Sequence, residues 1–245
     1  MLVKSQVKYI QSLGQKKFRD QEGVFIVEGP KMVGELLGAP NIELRQLYAV
    51  REWLAAASPL PAGAAALTTE LKEAELERIS ALSTPNQVVA VFGRPSFPPA
   101  VFEKTMSLVL DGIQDPGNLG TIVRMADWFG LRQVVCSRDS ADIFNVKTIQ
   151  ATMGSITRIQ VLYADPEEVI RQHPDLPVYA AVLEGKNLYE VGKVSEGLLL
   201  IGNESRGIRP ELQQLATHRI TIPRKGQAES LNAAVATGII LSHLV

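Results

Sequence analysis

The sequence predicts an α/β protein in which a small α/β domain precedes a larger domain built on a mostly parallel sheet. Short runs of β-branched residues alternate with helical patterns along the chain, as is typical of α/β folds. In the second half the apolar runs are nearly continuous, which favours parallel strands covered by helices on both faces. A stretch with three prolines in seven residues, 93–99, disfavours helix and sheet and marks the boundary. We therefore predict two domains, residues 1–95 and 104–245.

In the first half, strands are predicted where β-branched and aromatic residues cluster, and helices where apolar residues recur with helical spacing. Pro30 suits the first turn of a helix, and the alanine-rich stretch 55–66 is interpreted as a loop at a helix end. The predicted strands are Val24–Val27, Leu44–Val50 and Gln87–Phe92. The predicted helices are Val3–Leu13, Pro30–Leu37, Glu52–Ala57 and Glu70–Ile79.

The second half continues the alternation with more strands and longer apolar runs. Gly130 occupies the position that usually ends a helix, and the last helix is apolar on most faces, so we expect it to be buried. The predicted strands are Met106–Leu110, Gln133–Cys136, Arg158–Leu162, Val178–Leu183, Leu198–Ile201 and Arg219–Ile222. The predicted helices are Asn118–Phe129, Lys147–Met153, Pro166–His173, Pro210–Ala216 and Leu231–Leu244.

Composition excludes several classes of protein. Of the 245 residues, 46% are hydrophobic and 21% charged, which is typical of globular proteins and not of disordered chains. No apolar run approaches the roughly 20 residues that span a bilayer, and the first residues lack the apolar stretch of a secretory signal. One cysteine and three histidines disfavour a disulfide scaffold or a zinc site. We therefore expect a soluble, cytoplasmic protein with no membrane association and no bound metal.

The formal charge of −1 does not by itself indicate a nucleic-acid partner. Basic residues nevertheless cluster in two places. The first cluster, opposed only by Asp20, consists of Lys4, Lys8, Lys16, Lys17 and Arg19. The second consists of Arg219, Arg224 and Lys225. Solvated surface is the simpler interpretation of such clusters, and phosphate binding is the alternative.

The first segment that could carry chemistry, here the first motif, is 111–124, DGIQDPGNLGTIVR. It follows a strand and opens a helix, which is where α/β proteins bind ligands at the carboxyl ends of their strands. Asn118 is expected to cap that helix, and Arg124 follows about one and two-thirds turns later. An ordinary capped turn with a surface arginine is the alternative interpretation.

Two later loops have a similar character. The second motif, 199–208, is an apolar strand that runs into two glycines bracketing Asn, Glu, Ser and Arg. Glycine lets a backbone approach a ligand closely. In the third motif, 220–232, a strand ends at Pro223, a polar loop follows, and Ser230 is the expected cap of the last helix. Each loop could also be purely structural.

Familiar alternatives are absent from the sequence. The chain has no G-x-G-x-x-G dinucleotide fingerprint and no G-x-x-x-x-G-K-[ST] phosphate loop. It also lacks a G-x-S-x-G nucleophile elbow. A nicotinamide-dependent oxidoreductase and a triad hydrolase are therefore disfavoured.

In their order and spacing the three motifs resemble those of the SpoU (TrmH-type) RNA ribose 2′-O-methyltransferases of the SPOUT superfamily. The resemblance covers about residues 105–245. The matching residues are Asn118, Gly120 and Arg124 in the first motif, Gly202, Asn203, Glu204 and Gly207 in the second, and Ile222, Pro223, Ser230, Leu231 and Asn232 in the third. Residues 1–92 resemble, more weakly, the ribosomal-protein-like substrate-binding domain of many members, mainly in Val24–Gly29 and Leu67–Ala90.

The resemblance implies a catalytic domain whose C-terminal segment forms a deep trefoil knot. It implies S-adenosylmethionine as cofactor, held between the loops of the second and third motifs. It also implies a homodimer with the active site at the subunit interface. The implied methyl transfer requires no metal. The N-terminal domain favours ribosomal RNA, in particular 23S RNA, over transfer RNA as the substrate.

Site residues follow from the same resemblance. Arg124 is the expected electrostatic activator of the ribose hydroxyl, because a cation near that oxygen favours the developing alkoxide. The other expected catalytic residues are Asn118, Glu204, Ser230 and Asn232. The expected cofactor contacts are Leu183, Gly202, Ile222, Leu231 and Asn232. The expected RNA contacts are Lys4, Lys8, Lys16, Lys17, Arg19 and Lys147.

One departure from the family pattern lies between the first and second motifs. Many members have a Ser-Pro-Lys-like step followed by Arg-Ala-Ser, where this chain has 145–147, Asn-Val-Lys, and 150–152, Gln-Ala-Thr. Lys147 is retained, but the missing arginine removes one potential RNA contact. Three other interpretations remain open: a transfer RNA 2′-O-methyltransferase, a catalytically silent RNA-binding protein on the same fold, and a knotted base methyltransferase.

Overall fold

The computed structural model describes residues 2–245 and divides into two compact units. The first unit contains the described chain through Phe97 together with Phe144–Thr157. The second unit contains Pro98–Ile143 and Arg158–Val245. Residues 144–157 fall within the 104–245 range of the predicted catalytic domain, yet they pack in the first unit.

The first unit is a four-stranded sheet with short helices. Its strands are β1 (Val24–Glu28), β2 (Leu44–Val50), β3 (Thr68–Leu71) and β4 (Val88–Gly93). They lie in the order β1-β4-β2-β3, and only β2 and β3 run parallel. Its helices are α1 (Lys4–Ser12), α2 (Lys16–Glu22), α3 (Pro30–Leu37), α4 (Arg51–Ala56), α5 (Glu73–Leu76) and α7 (Val146–Thr152). A 3-10 turn precedes β3 at Ala64–Leu67, and another follows α7 at Ser155–Thr157.

Two sequence predictions for this unit are wrong. Glu70–Ile79 is not one helix, because Thr68–Leu71 pairs with β2 as a parallel edge strand and only Glu73–Leu76 is helical. Arg19 is not an exposed phosphate ligand, because it lies in α2 with only 2% of its surface accessible. Its Nη1 donates to the carbonyl oxygens of Leu13 and Gly14, each at 2.8 Å. Arg19 therefore satisfies carbonyls at the end of α1.

The segment 144–157 docks on the first unit through several specific contacts. The Phe144 ring lies 5.1 Å from that of Phe25, and Gln150 Nε2 donates to the Glu28 carbonyl at 2.8 Å. Gly154 has a positive φ of 89°, and a Cβ there would lie 2.3 Å from the Glu35 carboxylate. Gln150 stands where many family members have arginine, and its side chain serves this packing.

The second unit is a six-stranded sheet in which every pairing is parallel. The strands are β5 (Met106–Asp111), β6 (Gln133–Cys136), β7 (Gln160–Tyr163), β8 (Val178–Asn187), β9 (Gly197–Gly202) and β10 (His218–Thr221). Their order is β10-β8-β9-β5-β6-β7. The helices are α6 (Pro116–Trp128), α8 (Pro166–Gln172), α9 (Pro210–Gln214) and α10 (Ala233–Leu244), with a 3-10 turn at Leu188–Glu190. The predicted α/β class and parallel sheet are thus confirmed.

Buried aliphatic side chains hold this sheet to its helices. Val109, Ala180 and Leu200, from three neighbouring strands, pack with Val169 of α8 and Leu212 of α9. The helix of the first motif, α6, packs against α10. Among residues 2–245, no helix combines the length and the hydrophobicity that a membrane span requires.

Strand order brings the three motifs to one edge of the sheet. In the β5–β9 pairing Asp111 lies opposite Gly202, so the first and second motifs leave the sheet side by side. On its other side β9 pairs with β8, and β8 pairs in parallel with β10. The third motif continues from the carboxyl end of β10. This is the edge where parallel sheets place ligand sites.

Candidate active site

Asn118 is a partly buried residue in the first turn of α6. Asp115, not Asn118 as predicted, caps the helix: its Oδ1 accepts a hydrogen bond from the Asn118 main-chain nitrogen at 2.8 Å. Pro116 takes the first helical position, where its missing N–H costs nothing. The Asn118 side chain is therefore released from capping and can bond to other segments.

Asn118 joins the three motifs through its side chain. Its Nδ2 donates to Glu204 Oε1 at 2.6 Å, and its Oδ1 accepts from Asn232 Nδ2 at 2.9 Å. In the sequence, Glu204 follows Asn118 by 86 residues and Asn232 follows it by 114. A carboxylate and two amides with matched donors and acceptors form a chain of specific bonds, which we call the Asn118–Glu204–Asn232 network.

The start of α10 also differs from the sequence prediction. Asn232, not Ser230, is its cap, since Asn232 Oδ1 accepts from the nitrogens of Ala234 at 2.9 Å and Val235 at 3.2 Å. One amide thus caps α10 with its oxygen and binds Asn118 with its nitrogen. Ser230 is exposed and makes no hydrogen bond to any of the residues 2–245.

The second-motif loop is a closed structure. Asn203 and Gly207 exchange main-chain hydrogen bonds of 3.1 and 2.9 Å, and Asn203 Nδ2 donates to the Gly112 carbonyl at 2.7 Å. Gly202 must be glycine, because a Cβ there would lie 2.2 Å from the carbonyl carbon of Gly207. The loop is therefore preformed and bonded to the first motif.

Asp111 and Arg209 form an ion pair that the sequence reasoning missed. Asp111 ends β5 with 2% of its surface accessible, and its Oδ1 accepts from Arg209 Nε at 2.7 Å. Asp111 Oδ2 accepts from the Arg209 main-chain nitrogen at 2.8 Å. Partial burial disfavours the Arg209 charge, but the hydrogen bond and charge of Asp111 outweigh it and raise the Arg209 pKa. The pair fixes the far end of the second-motif loop.

A cavity of about 1070 Å³ lies between the second and third motifs and residues 181–184 in the middle of β8. Four of the five predicted cofactor contacts line it: Leu183, Gly202, Ile222 and Leu231. The fifth, Asn232, is not part of the wall but reaches it through the network, because Glu204 is a wall residue. The wall combines apolar residues with polar and charged residues of the two loops, and such a mixture can both hold and orient a small molecule.

Arg124 does not join the other predicted catalytic residues within one chain. It is exposed, lies outside the cavity wall, and forms no ion pair or hydrogen bond within the described part of the protein. Six residues along an α-helix turn it about 120° away from Asn118. It shares an exposed face of α6 with Thr121 and with Trp128, which is 82% accessible.

The predicted RNA contacts, apart from Arg19, are exposed and lie in the first unit. They are Lys4, Lys8, Lys16 and Lys17 on α1 and α2, and Lys147 on α7. Lys16 is paired with Asp20 at 3.1 Å. Across the described chain, no group of three or more His, Cys, Asp or Glu side chains is placed to hold a metal ion.

Comparison with known proteins adds independent information. Residues 105–242 match the model of the SpoU rRNA Methylase family, and residues 4–90 match that of the MRM3-like substrate binding domain. A curated relative, the 23S rRNA (guanosine(2553)-2′-O)-methyltransferase RlmP of Bacillus subtilis, is 34% identical over 97% of this chain and 95% of its own length.

Solved structures agree over nearly the whole chain. A TrmH-family protein from Porphyromonas gingivalis is 41% identical, with a TM-score of 0.86 over 99% of this chain and 97% of its own. An AdoMet-bound rRNA methyltransferase from Sinorhizobium meliloti is 33% identical, with a TM-score of 0.83 over 98% and 94%. The resemblance inferred from the three motifs is confirmed, and the chain belongs to the SpoU rRNA methylase family.

Proposed function

We propose that this chain transfers the methyl group of S-adenosylmethionine to a ribose 2′-hydroxyl of 23S ribosomal RNA. One observation carries the proposal: three motifs far apart in sequence meet in the Asn118–Glu204–Asn232 network, and Glu204 is part of the cavity wall. The full-length match to RlmP and the AdoMet-bound relative support the same reaction and cofactor.

The cavity fits the proposed cofactor. At about 1070 Å³ it is large enough for S-adenosylmethionine with a nucleotide beside it, since small-molecule sites span about 300–1000 Å³. Leu183, Ile222 and Leu231 offer apolar surface to the adenine and methionine portions. S-adenosylmethionine, when bound, supplies an electrophilic methyl group on a sulfonium.

Arg124 is assigned to the ribose oxygen. An arginine guanidinium keeps its positive charge in proteins, so it acts by stabilising negative charge on the 2′-oxygen and not as a general base. A neighbouring RNA phosphate accepts the proton. The network holds the third-motif loop in place, and the exposed hydroxyl of Ser230 in that loop is available to the ribose.

A homodimer resolves the separation of Arg124 from the cavity. On α6 Trp128 is 82% accessible, and on α10, which packs beside it, Val235 is 51% accessible. Exposed apolar residues on adjacent helices favour a protein interface, and a two-fold dimer brings the same surface from both copies together. We assign this surface to the dimer and infer that Arg124 of one protomer serves the cavity of its partner.

The trefoil knot is part of the same proposal. The pairing of β10 with β8 breaks after Arg219: this residue lies opposite Ala180, whereas Ile220 lies opposite Lys186. A Cβ on Gly185 would lie 2.8 Å from the Arg219 backbone. Such a close crossing of two chain segments supports a C-terminal segment threaded through a loop.

In the first unit, the exposed lysines are assigned to the RNA backbone. Lys4, Lys8, Lys17 and Lys147 carry this role, and Lys16 contributes less because Asp20 partly neutralises it. Phosphate contacts of this kind supply affinity without reading the base sequence.

Mapping ribose methylation in ribosomal RNA from a deletion strain tests the function directly. We expect one 2′-O-methylated nucleotide of 23S RNA to disappear and to return with the wild-type gene. The purified protein should restore it on undermodified 23S RNA in the presence of S-adenosylmethionine. Loss of a mark from transfer RNA alone would reassign the substrate, and an unchanged map with no cofactor binding by calorimetry would make the chain a silent RNA-binding protein.

A further inference from the structure

Four basic residues from three chain segments line the cavity. Arg206 comes from the second-motif loop, Arg219 from β10, and Arg224 and Lys225 from the third-motif loop. All four are exposed and all belong to the cavity wall. We call this set the cationic rim.

Within the described chain these cations have no carboxylate partner, whereas several other exposed arginines do. Arg51 pairs with Glu70 at 2.8 Å and Arg171 with Glu167 at 2.7 Å. None of the four rim residues forms an ion pair with any residue of the 2–245 range. The Arg224 side chain donates only to the Ala228 carbonyl, at 3.3 Å, and the Arg219 side chain only to that of Gln213, at 3.5 Å. Their charges are therefore available to an anionic ligand.

The cofactor cannot use all four cations. S-adenosylmethionine has one anionic group, its carboxylate, beside a positive sulfonium and a positive ammonium. Three glutamates also line the cavity, and one of them, Glu204, accepts the hydrogen bond of Asn118. Because the four cations outnumber the three glutamates and the bound cofactor is itself net positive, the site as a whole keeps a positive charge. A polyanion, whose phosphates repeat along a strand, matches that charge better than the single carboxylate of the cofactor does.

Arg224 and Lys225 also lie in the same loop as Ser230 and Asn232. Residues 222–232 contain no helix or strand, so side-chain bonds and ligands determine how firmly the loop is held. A phosphate bound by the first half of the loop would fix the half that carries the proposed ribose contact.

We propose that the cationic rim binds the backbone phosphates that flank the target ribose. This inference rests on the proposed function and deepens it, because it places a second RNA-binding site on the catalytic unit itself. The rim would act locally, at the reacting nucleotide, whereas the lysines of the first unit bind RNA elsewhere.

The test uses the full-length double variant Arg224→Gln/Lys225→Gln with a 23S RNA transcript. We expect at least a tenfold loss of RNA affinity at 100 mM KCl, and a slope of log K against log[KCl] shallower by about 1.4, since each single-strand phosphate contact adds about 0.7. The KM for RNA should rise, and the Kd for S-adenosylmethionine should stay within twofold. The control Lys104→Gln/Arg171→Gln removes the same charge from exposed positions outside the cavity wall and should leave all three values unchanged.

Three outcomes would overturn the proposal. If the double variant keeps the wild-type salt slope, the rim does not touch phosphates. If cofactor affinity falls as much as RNA affinity, the rim holds the cofactor carboxylate instead. If the wild-type protein methylates no RNA, the proposed function fails and the rim proposal fails with it.

Discussion

The two units of the chain use their buried and partly buried polar groups differently. In the first unit, Glu28 is buried at the end of β1 and accepts hydrogen bonds from Ser80 Oγ and the Ala81 nitrogen. Burial raises the pKa of Glu28 although these bonds oppose the shift. Arg19 likewise serves two carbonyls of its own unit. In the second unit, Asn118 and Glu204 bond to each other beside a cavity.

This difference separates structural from chemical roles. Buried polar groups in the first unit satisfy loops and helix ends, so any RNA recognition there must come from its exposed side chains. The second unit concentrates polar bonds where three strands end, and there they order the loops around a ligand-sized space. Variants in the two units should therefore affect different measurements.

The largest expected effect is that of Arg124→Ala in the second unit. Loss of one preorganised charge at a developing oxyanion costs about 100- to 1000-fold in turnover. The Kd for S-adenosylmethionine should stay within a few-fold, because Arg124 is not part of the cavity wall. Single-turnover methylation and calorimetry measure the two quantities, with Arg132→Ala, another exposed arginine of the same unit, as control. Near-normal turnover would remove Arg124 from the mechanism.

Mixing inactive variants tests whether the site is shared between protomers. If Arg124 serves the partner's cavity, a heterodimer of Arg124→Ala and Glu204→Ala chains contains one intact site. Random assortment of the two chains would then restore about a quarter of wild-type activity. If each chain instead uses its own Arg124, the mixture stays inactive, and light scattering should show whether the chains dimerise at all.

Asp111→Asn should produce the next largest effect, because its structural ion pair with Arg209 supports a loop of the cofactor site. Losing the negative charge weakens two hydrogen bonds to Arg209 and loosens the second-motif loop, so cofactor affinity should fall about tenfold. Arg209→Gln should give a similar loss and the double variant little more, because both residues act in one contact. Glu167→Gln, which removes an exposed ion pair of the same 2.7 Å length, is the matched control. Additive losses would show that the pair does not act as a unit.

Sequence reasoning was reliable for features that depend on local pattern. Most parallel strands of the second half have an apolar centre, and each of the six overlaps a predicted run. The cap of α6 also had a local signal, since Asp115 directly precedes a proline at the first helical position. The prediction of Asn118 as the cap is therefore wrong although the local sequence indicated Asp115.

Other features depend on residues distant in sequence and had no local signal. The partners Asp111 and Arg209 are 98 residues apart. β3 is a strand only because it pairs with β2, and its charged sequence continues into α5. The docking of 144–157 joins Asn41 to the Thr157 carbonyl across 116 residues. None of these contacts could be deduced from spacing or periodicity.

The smallest expected effect concerns the lysines of the first unit. Deleting this unit is a poor test, because 144–157 packs in it and would lose its contacts. The full-length variant with Lys4, Lys8 and Lys17 changed to Gln avoids this problem. We expect RNA affinity at 100 mM KCl to fall several-fold and the salt slope to become shallower by up to about 2, since three phosphate contacts of about 0.7 each are lost.

Turnover at saturating RNA and the Kd for S-adenosylmethionine should not change, because these lysines lie outside the catalytic unit. Changing Lys16 as well should add little, because Asp20 already offsets its charge. A loss of turnover with unchanged RNA affinity would mean that the first unit acts on the chemistry and not on substrate binding, and the division of roles between the two units would then be wrong.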